Sequence, residues 1–319
     1  MSCILVTGAN GFVGRELCQI LIECGHIVHA VTRRQYQCKS LSTLKYFTVK
    51  DICENTLWES AIKGVDCVIH LAARVHVMVD NSRDPLSVYR EVNTKGTMNL
   101  ARQALKAGVK RFVYISSIKV NGECTTINIP YTDTDNPAPS DPYAISKYEA
   151  EQQLLELSSS GDLEIVIIRP PLVYGPGVKA NFLSMLRWLN KGIPLPFGSI
   201  QNKRSLVALD NLVDLILTCI EQPAAANQIF LVSDGEDLST TELLSRVASA
   251  LGKKPRLLPV NQQLLELILR FIGKKDLAQR LCSSLQVDIS KAKKLLNWTP
   301  PVSVDEGLRK TADAFKSSR

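Results

Sequence analysis

Three glycines at intervals of three, Gly8-Ala9-Asn10-Gly11-Phe12-Val13-Gly14, separate a short apolar run from an apolar-periodic stretch over residues 16–24 that stops at Gly25. The pattern reads as strand, glycine turn, helix. Glycine at these positions lets the backbone turn tightly, approach a pyrophosphate and seat the helix on the strand, with the helix N-terminus facing the anion. A lone glycine fingerprint is weak evidence. In this strand-to-helix context it points to a dinucleotide ahead of a purely structural turn, with Gly8, Asn10, Gly11, Phe12, Val13 and Gly14 as cofactor contacts.

The fingerprint commits the chain to the α/β class. The expectation is a Rossmann-type doubly wound parallel sheet with a smaller, helix-rich C-terminal substrate lobe. The first domain is assigned to residues 1–170 and the lobe to 171–319, where Arg169-Pro170-Pro171 and Tyr174-Gly175-Pro176-Gly177 break the alternation of strand and helix. Some later segments may be counted as returning to the sheet. A chain of 319 residues, 45% hydrophobic, is long enough for one large core or two.

Residues 27–31 read as the second strand and end in Thr32-Arg33-Arg34, where such a fold meets the adenosine ribose. NAD sites usually carry an acid there for the 2'-hydroxyl, whereas arginine accommodates the 2'-phosphate of NADP. Arg33 and Arg34 therefore favour NADP(H), with NAD(H) as the alternative. Strands follow at 46–49, leading to an adenine-edge loop at Asp51 and Ile52, and at 66–71, where Leu71, Ala72 and Ala73 permit close approach of a cofactor. One long helix spans about 84–107 and carries Asn93. The fifth strand, Arg111–Ile115, is followed by Ser116 and Ser117 at the carboxyl edge of the sheet, where open α/β sheets bind ligands. A sixth covers 163–168 and leads to Pro170.

Tyr143 and Lys147 stand four residues apart at the start of a helix, so both project from one face. A phenol with a pKa near ~10 exchanges protons poorly at neutral pH unless a fixed positive charge favours its phenolate. Lys147 can supply that charge, and Ser117 is the third partner. Tyr-x-x-x-Lys recurs by chance, so the assignment rests on its neighbours in the chain.

The nine cysteines form no Cys-x-x-Cys and read as reduced, buried thiols, and His26, His29, His70 and His76 show no metal-ligand spacing, so no metal is expected. No run is apolar enough to span a membrane, and the first residues read as a strand and not a signal peptide, which implies a cytoplasmic protein. The net charge of +7 comes from the end of the chain, where residues 253–319 hold 14 Lys/Arg against 6 Asp/Glu. Such an excess suits an anionic ligand or a solvated helical face, and no nucleic-acid motif accompanies it. Beyond residue 177 the pattern gives helices at 181–190, 210–221, 239–252, 262–272, 276–284, 288–296 and 303–316, with one strand at 228–232. The 264–272 stretch, apolar with Glu266 and Arg270, reads as a helix capping the lobe ahead of one touching a membrane.

Taken together, the chain resembles the extended short-chain dehydrogenase/reductase family, the NAD-dependent epimerases, dehydratases and 4-ketoreductases of nucleotide sugars. The resemblance rests on Thr7-Gly8-x-x-Gly11-x-x-Gly14, Asp51-Ile52, His70-Leu71-Ala72-Ala73, Asn93, Ser116-Ser117, Tyr143-x-x-x-Lys147, Arg169-Pro170, Tyr174-Gly175-Pro176, Arg204-Ser205-Leu206-Val207 and Asn297-Trp298-x-Pro300, in that order. It implies that Tyr143 transfers a proton at the sugar C4 oxygen, that Lys147 lowers its pKa and holds the nicotinamide ribose, and that Ser117 hydrogen-bonds the same oxygen. It also implies a UDP-sugar pocket in the lobe, with Asn181, Phe197 packed on uracil, Arg204 on the diphosphate and Arg280 as a second arginine, and a homodimer. For Phe197 a place in the lobe core, and for Arg280 a solvated face, remain equal readings.

Ile118 and Lys119 occupy the positions where the dehydratase branch carries an Asp-Glu pair, so dehydration is not expected. Residues 71–78, 116–123 and 284–288 resemble enzymes of bacterial O-antigen clusters that reduce a UDP-4-keto-6-deoxy-N-acetylhexosamine at C4, with Lys119 and His76 read equally as lining the sugar site or as surface residues. That reduction by NADPH is the leading expectation. A UDP-hexose or UDP-N-acetylhexosamine 4-epimerase with tightly bound NAD is the alternative, and a non-catalytic NADP-sensing protein a remote third.

Overall fold

The computed structural model describes residues 1–34, 42–75, 84–159, 161–271 and 273–318. Its first half runs β1 (Cys3–Thr7), α1 (Phe12–Glu23), β2 (Ile27–Thr32), β3 (Leu44–Thr48), α2 (Glu59–Ile62), β4 (Cys67–His70), α3 (Pro85–Arg90), α4 (Thr97–Lys106), β5 (Arg111–Ile115), α5 (Pro142–Ser159) and β6 (Glu164–Arg169). The second half runs β7 (Leu172–Tyr174), α6 (Ala180–Asn190), β8 (Arg204–Ala208), α7 (Leu209–Glu221), β9 (Gln228–Leu231), β10 (Asp237–Leu238), α8 (Thr240–Ala250), α9 (Gln262–Phe271), α10 (Lys275–Cys282), α11 (Ser290–Leu296) and α12 (Val304–Ser317).

Seven parallel strands form the main sheet in the order β3-β2-β1-β4-β5-β6-β9. Successive side chains of a strand face opposite sides. Ile4 and Val6 of β1 join a core with Leu17 and Leu21 of α1 and Leu212 and Ile216 of α7, while Leu5 joins Leu100 of α4 and Leu154 of α5 on the other side. Burial on both faces is why these strands read as continuous apolar runs instead of alternating ones. The order reverses between β1 and β4, and at such a switch point a crevice opens at the carboxyl ends of the strands.

The boundary at residue 170 is crossed by the chain. The strand expected in the lobe at 228–232 is β9, which pairs with β6 (Val166 opposite Gln228), and α7 covers the same sheet face as α1. What stands apart is a second core around Tyr174, Phe182, Leu206, Leu244 and Leu308, with a three-stranded sheet β10-β8-β7. Phe12, from the glycine turn, packs on both cores and joins them.

The helix expected over 84–107 is broken by a wider π turn, Glu91–Gly96, between α3 and α4. A Cβ on Gly96 would lie 2.6 Å from Ile52 Cγ2, so glycine lets this turn close on the Ile52 loop. The closing Asn-Trp motif is structural. Asn297 ends α11 in the left-handed region (φ 51°), and the buried Trp298 donates from Nε1 to Asp214 Oδ2 at 2.7 Å. The thiol expectation needs correction. Cys18, Cys67, Cys219 and Cys282 are buried, but Cys24 and Cys124 are exposed, and Cys38 and His76 lie outside the described residues. No described helix is long and apolar enough to cross a membrane, and α9 buries Leu265 and Leu269 in the lobe.

Candidate active site

At the glycine turn, Gly8 has φ 68°, and a Cβ on Gly14 would lie 2.2 Å from the Gly8 carbonyl oxygen. No side chain at these positions could seat α1 so closely on β1. The Gly11 cap offers no side-chain hydrogen bond and the first turn of α1 holds no acid, so its free N–H groups are open to an anion. This fits a dinucleotide pyrophosphate. Asn10 and Gly11 are exposed beside it, and Phe12 and Val13 half-buried. Arg33 and Arg34 follow β2 and are exposed, as is Asp51, whereas Ile52 is buried.

His70 braces the floor of this crevice. Buried between Thr7 Oγ1 (2.8 Å from Nδ1) and Thr97 Oγ1 (3.0 Å from Nε2), its pKa falls to about 3, through burial first and the Lys147 charge second. Thr7 Oγ1 also accepts from the Ala72 N–H at 3.1 Å, which fixes the Leu71-Ala72-Ala73 segment over Gly8. Asn93 does a similar job from behind. It is buried, its Oδ1 accepts from the Arg74 N–H at 2.8 Å, and its Nδ2 donates to the Arg74 carbonyl and Ser146 Oγ, each at 3.0 Å. Its polar atoms are thus engaged by the chain, and it positions the segment at Arg74.

Tyr143, Lys147 and Glu151 lie on one face of α5 at successive steps of four. Burial first and the Asp141 carboxylate second push the Tyr143 phenol above its ordinary value of 10.0, while the neighbouring Ser117 hydroxyl pulls the other way. Ser117 Oγ in turn accepts from the Lys119 N–H at 3.3 Å, which leaves its proton free to point at Tyr143 or a substrate oxygen. Lys147 is buried, donates to the Ile115 carbonyl at 2.8 Å and stands 4.5 Å from the centre of the Tyr114 ring. Burial brings it down to about 7, against an upward pull from Glu151. The neighbour that favours the phenolate is therefore the Ser117 hydroxyl. Burial thus works against the Lys147 charge, and a contact that favours that charge would favour a neighbouring phenolate as well.

Three groups to which the sequence reading assigns no part in the site complete the arrangement. Glu151, 1% exposed, forms a paired contact with Arg169 of β6 (3.0 Å to Nε, 2.5 Å to Nη2), and Arg169 Nη1 donates to Asn121 Oδ1 at 2.9 Å. Asp141 starts α5 by accepting from the Ala144 N–H at 2.7 Å. The spacing of Glu151 from Lys147 could have signalled the first; nothing local signals Arg169 as its partner. Pro170 is buried, and its carbonyl accepts from the Ile118 N–H at 3.0 Å, which anchors the turn after Ser117. Lys119, read either as lining the sugar site or as a surface residue, is paired with Asp141 and lies 3.5 Å from Glu123.

In the lobe, Arg204 is half-buried and donates to the Ser283 carbonyl at 3.0 Å, and burial lowers its pKa. Among the described residues no acid lies within salt-bridge distance of it, which leaves donors for a phosphate. Asn181 and Arg280 are exposed, and Phe197 is half-buried against two apolar clusters of the lobe. Among the described residues no group of three or more His, Cys, Asp or Glu is placed to hold a metal.

A model of the NAD dependent epimerase/dehydratase family matches residues 4–233. Over 314 residues the chain is 52% identical to a UDP-glucose 4-epimerase of Vibrio cholerae, spanning 98% of this chain and 95% of the relative. A UDP-glucose 4-epimerase of Thermotoga maritima, solved with UDP-glucose, matches with a TM-score of 0.76 and 25% identity over 99% of each chain. The fold also matches a UDP-glucuronic acid 4-epimerase of Bacillus cereus in complex with NAD, with a TM-score of 0.79, 22% identity and 99% of each chain covered.

Proposed function

Since the chain belongs to the NAD dependent epimerase/dehydratase family, we propose that it inverts the C4 configuration of a UDP-hexose, using NAD. The observation that carries this reading is the 52% identity, over nearly the whole of both chains, with a UDP-glucose 4-epimerase. It outweighs the expectation of a 4-ketoreductase using NADPH. That expectation leaned on Arg33 and Arg34, two exposed residues whose type alone spoke for NADP.

When bound, NAD would supply the redox chemistry at C4 and the protein the geometry. The glycine turn and the N-terminus of α1 would hold its pyrophosphate, and Asp51 and Ile52 would meet the adenine edge. Tyr143 Oη accepts the proton of the C4 hydroxyl and returns it when the hydroxyl forms on the other face. Ser117 donates to the same oxygen and holds it against Tyr143. Lys147 would hold the ribose, and its positive charge, favoured by that contact, would favour the phenolate. Arg204 binds the diphosphate, with Asn181, Phe197 and Arg280 around the nucleotide.

The test is to purify the protein without added cofactor, analyse what it releases on denaturation, and supply UDP-glucose. Released NAD near one per chain and formation of UDP-galactose are expected. Protein that arrives empty and consumes NADPH only with a UDP-4-keto sugar would overturn the proposal in favour of the reductase. Tyr143→Phe should lower turnover by about 10²- to 10⁴-fold while leaving NAD bound.

A further inference from the structure

We propose that Lys119 and Asp141 form a charge clamp that sets the proton affinity of Tyr143, making both of them positioning residues for the transfer at C4. The inference rests on the proposed reading for its catalytic consequence, but the clamp itself is a property of the chain. Asp141 stands two residues before Tyr143. Its Oδ1 accepts from the Ala144 N–H at 2.7 Å and fixes the first turn of α5, while its Oδ2 accepts from Lys119 Nζ. The same Lys119 orients Ser117 through its backbone N–H at 3.3 Å. One residue thus holds Ser117 through its main chain and the Asp141 carboxylate through its side chain.

The signs are opposed. The Asp141 carboxylate disfavours a phenolate at Tyr143, and Lys119 offsets that carboxylate. A second acid, Glu123, lies 3.5 Å from Lys119 and accepts from Gln279 of α10 at 3.0 Å, so the clamp reaches the substrate lobe. The other groups around Tyr143 are Lys147 on its own helix, the Ser117 hydroxyl, and Tyr89 of α3, whose ring centre is 6.2 Å away and lies under the Arg74 guanidinium. None of these is altered by substitution at 119 or 141.

Lys119→Met, Asp141→Asn and the double variant separate tuning from support, because asparagine keeps the acceptor that starts α5. Two readouts are needed. One is the phenolate absorbance of NAD-loaded protein titrated with base, with Tyr143→Phe as the blank. The other is the pH profile of kcat/KM for UDP-glucose. Lys119→Met should raise the Tyr143 midpoint and the acid limb by about one unit, roughly a tenfold loss of rate on that limb. Asp141→Asn should move both the other way, and the double variant should return close to the parent. Midpoints that stay fixed, or that move in the same direction in both single variants, overturn the clamp. If the parent does not turn over UDP-glucose, the proposed function fails while the phenolate titration still decides the clamp.

Discussion

The inward face of α5 and the nucleotide side of the lobe are built on opposite terms. On α5, Lys147 is tied to Ile115, Glu151 is locked by two contacts to Arg169, and Arg169 is tied onward to Asn121. In the lobe, Arg204 holds one carbonyl, while Asn181 and Arg280 are exposed. The first region has its charged groups tied within the chain; the second leaves donors that a ligand would satisfy. A proton-transfer site gains from groups held in place before the substrate arrives. A phosphate site gains from a charge that is left unpaired until the phosphate arrives.

The sharpest way to break this contrast is to unpair the buried charge on the rigid side. Glu151→Ala leaves the Arg169 guanidinium, 2% exposed, without its carboxylate, and should cost about 3–5 kcal/mol of stability in urea unfolding. Combining it with Arg169→Met should recover much of that loss, since no uncompensated ion is then left behind. A loss below ~1 kcal/mol for the single variant, the scale of exposed pairs, would mean that the face is no more firmly held than the surface.

His70 gives the next effect, and its sign follows from where its proton sits. The native pKa of about 3 lies below the ordinary 6.5 of the unfolded chain. Below about 6.5 the unfolded state takes up a proton that the native state refuses. The stability from this group is therefore full above about 6.5 and is lost as the pH falls toward 3, amounting to about 3 kcal/mol by pH 4. His70→Gln should be less stable than the parent at pH 7 but should lack this slope, measured as unfolding midpoints across pH 4–7. An unchanged slope would take His70 out of the crevice's acid sensitivity.

The same contrast governs what could be read from the chain alone. β1 and β5 were legible to the residue, because strands buried on both faces carry uninterrupted apolar runs. β7, β8 and β10, at three, five and two residues, are too short to show a period, so the small sheet of the lobe was missed. The π turn at 91–96 shifts hydrogen bonds by one residue inside a helix-like pattern and leaves no trace in composition. Tyr143 and Lys147 were visible through local spacing. The partners that organise them were not, since Asp141 meets Lys119 across 22 positions and Glu151 meets Arg169 across 18. The cofactor preference drawn from Arg33 and Arg34 rested on residue type alone, and the structure adds to it only that both are exposed.

Arg204 supplies the smallest effect and the closest test of the contrast, because here stability and binding should move apart. Its guanidinium is desolvated and, among the described residues, faces no carboxylate. Arg204→Met removes a half-buried charge and breaks no ion pair among the described residues, so the fold should lose little, unlike Glu151→Ala. If that charge is held for the diphosphate, the same change should weaken UDP binding by about 1.5–3 kcal/mol, roughly 10- to 150-fold, by calorimetry with UDP alone. The loss should fall on KM, with kcat nearly kept, because the diphosphate lies away from the reacting carbon and is bound alike in the ground and transition states. Arg204→Lys keeps the charge without the paired donors and should fall between the two. A variant that unfolds easily yet binds UDP normally would make Arg204 a structural tie to the Ser283 carbonyl, and the two regions would then be built alike.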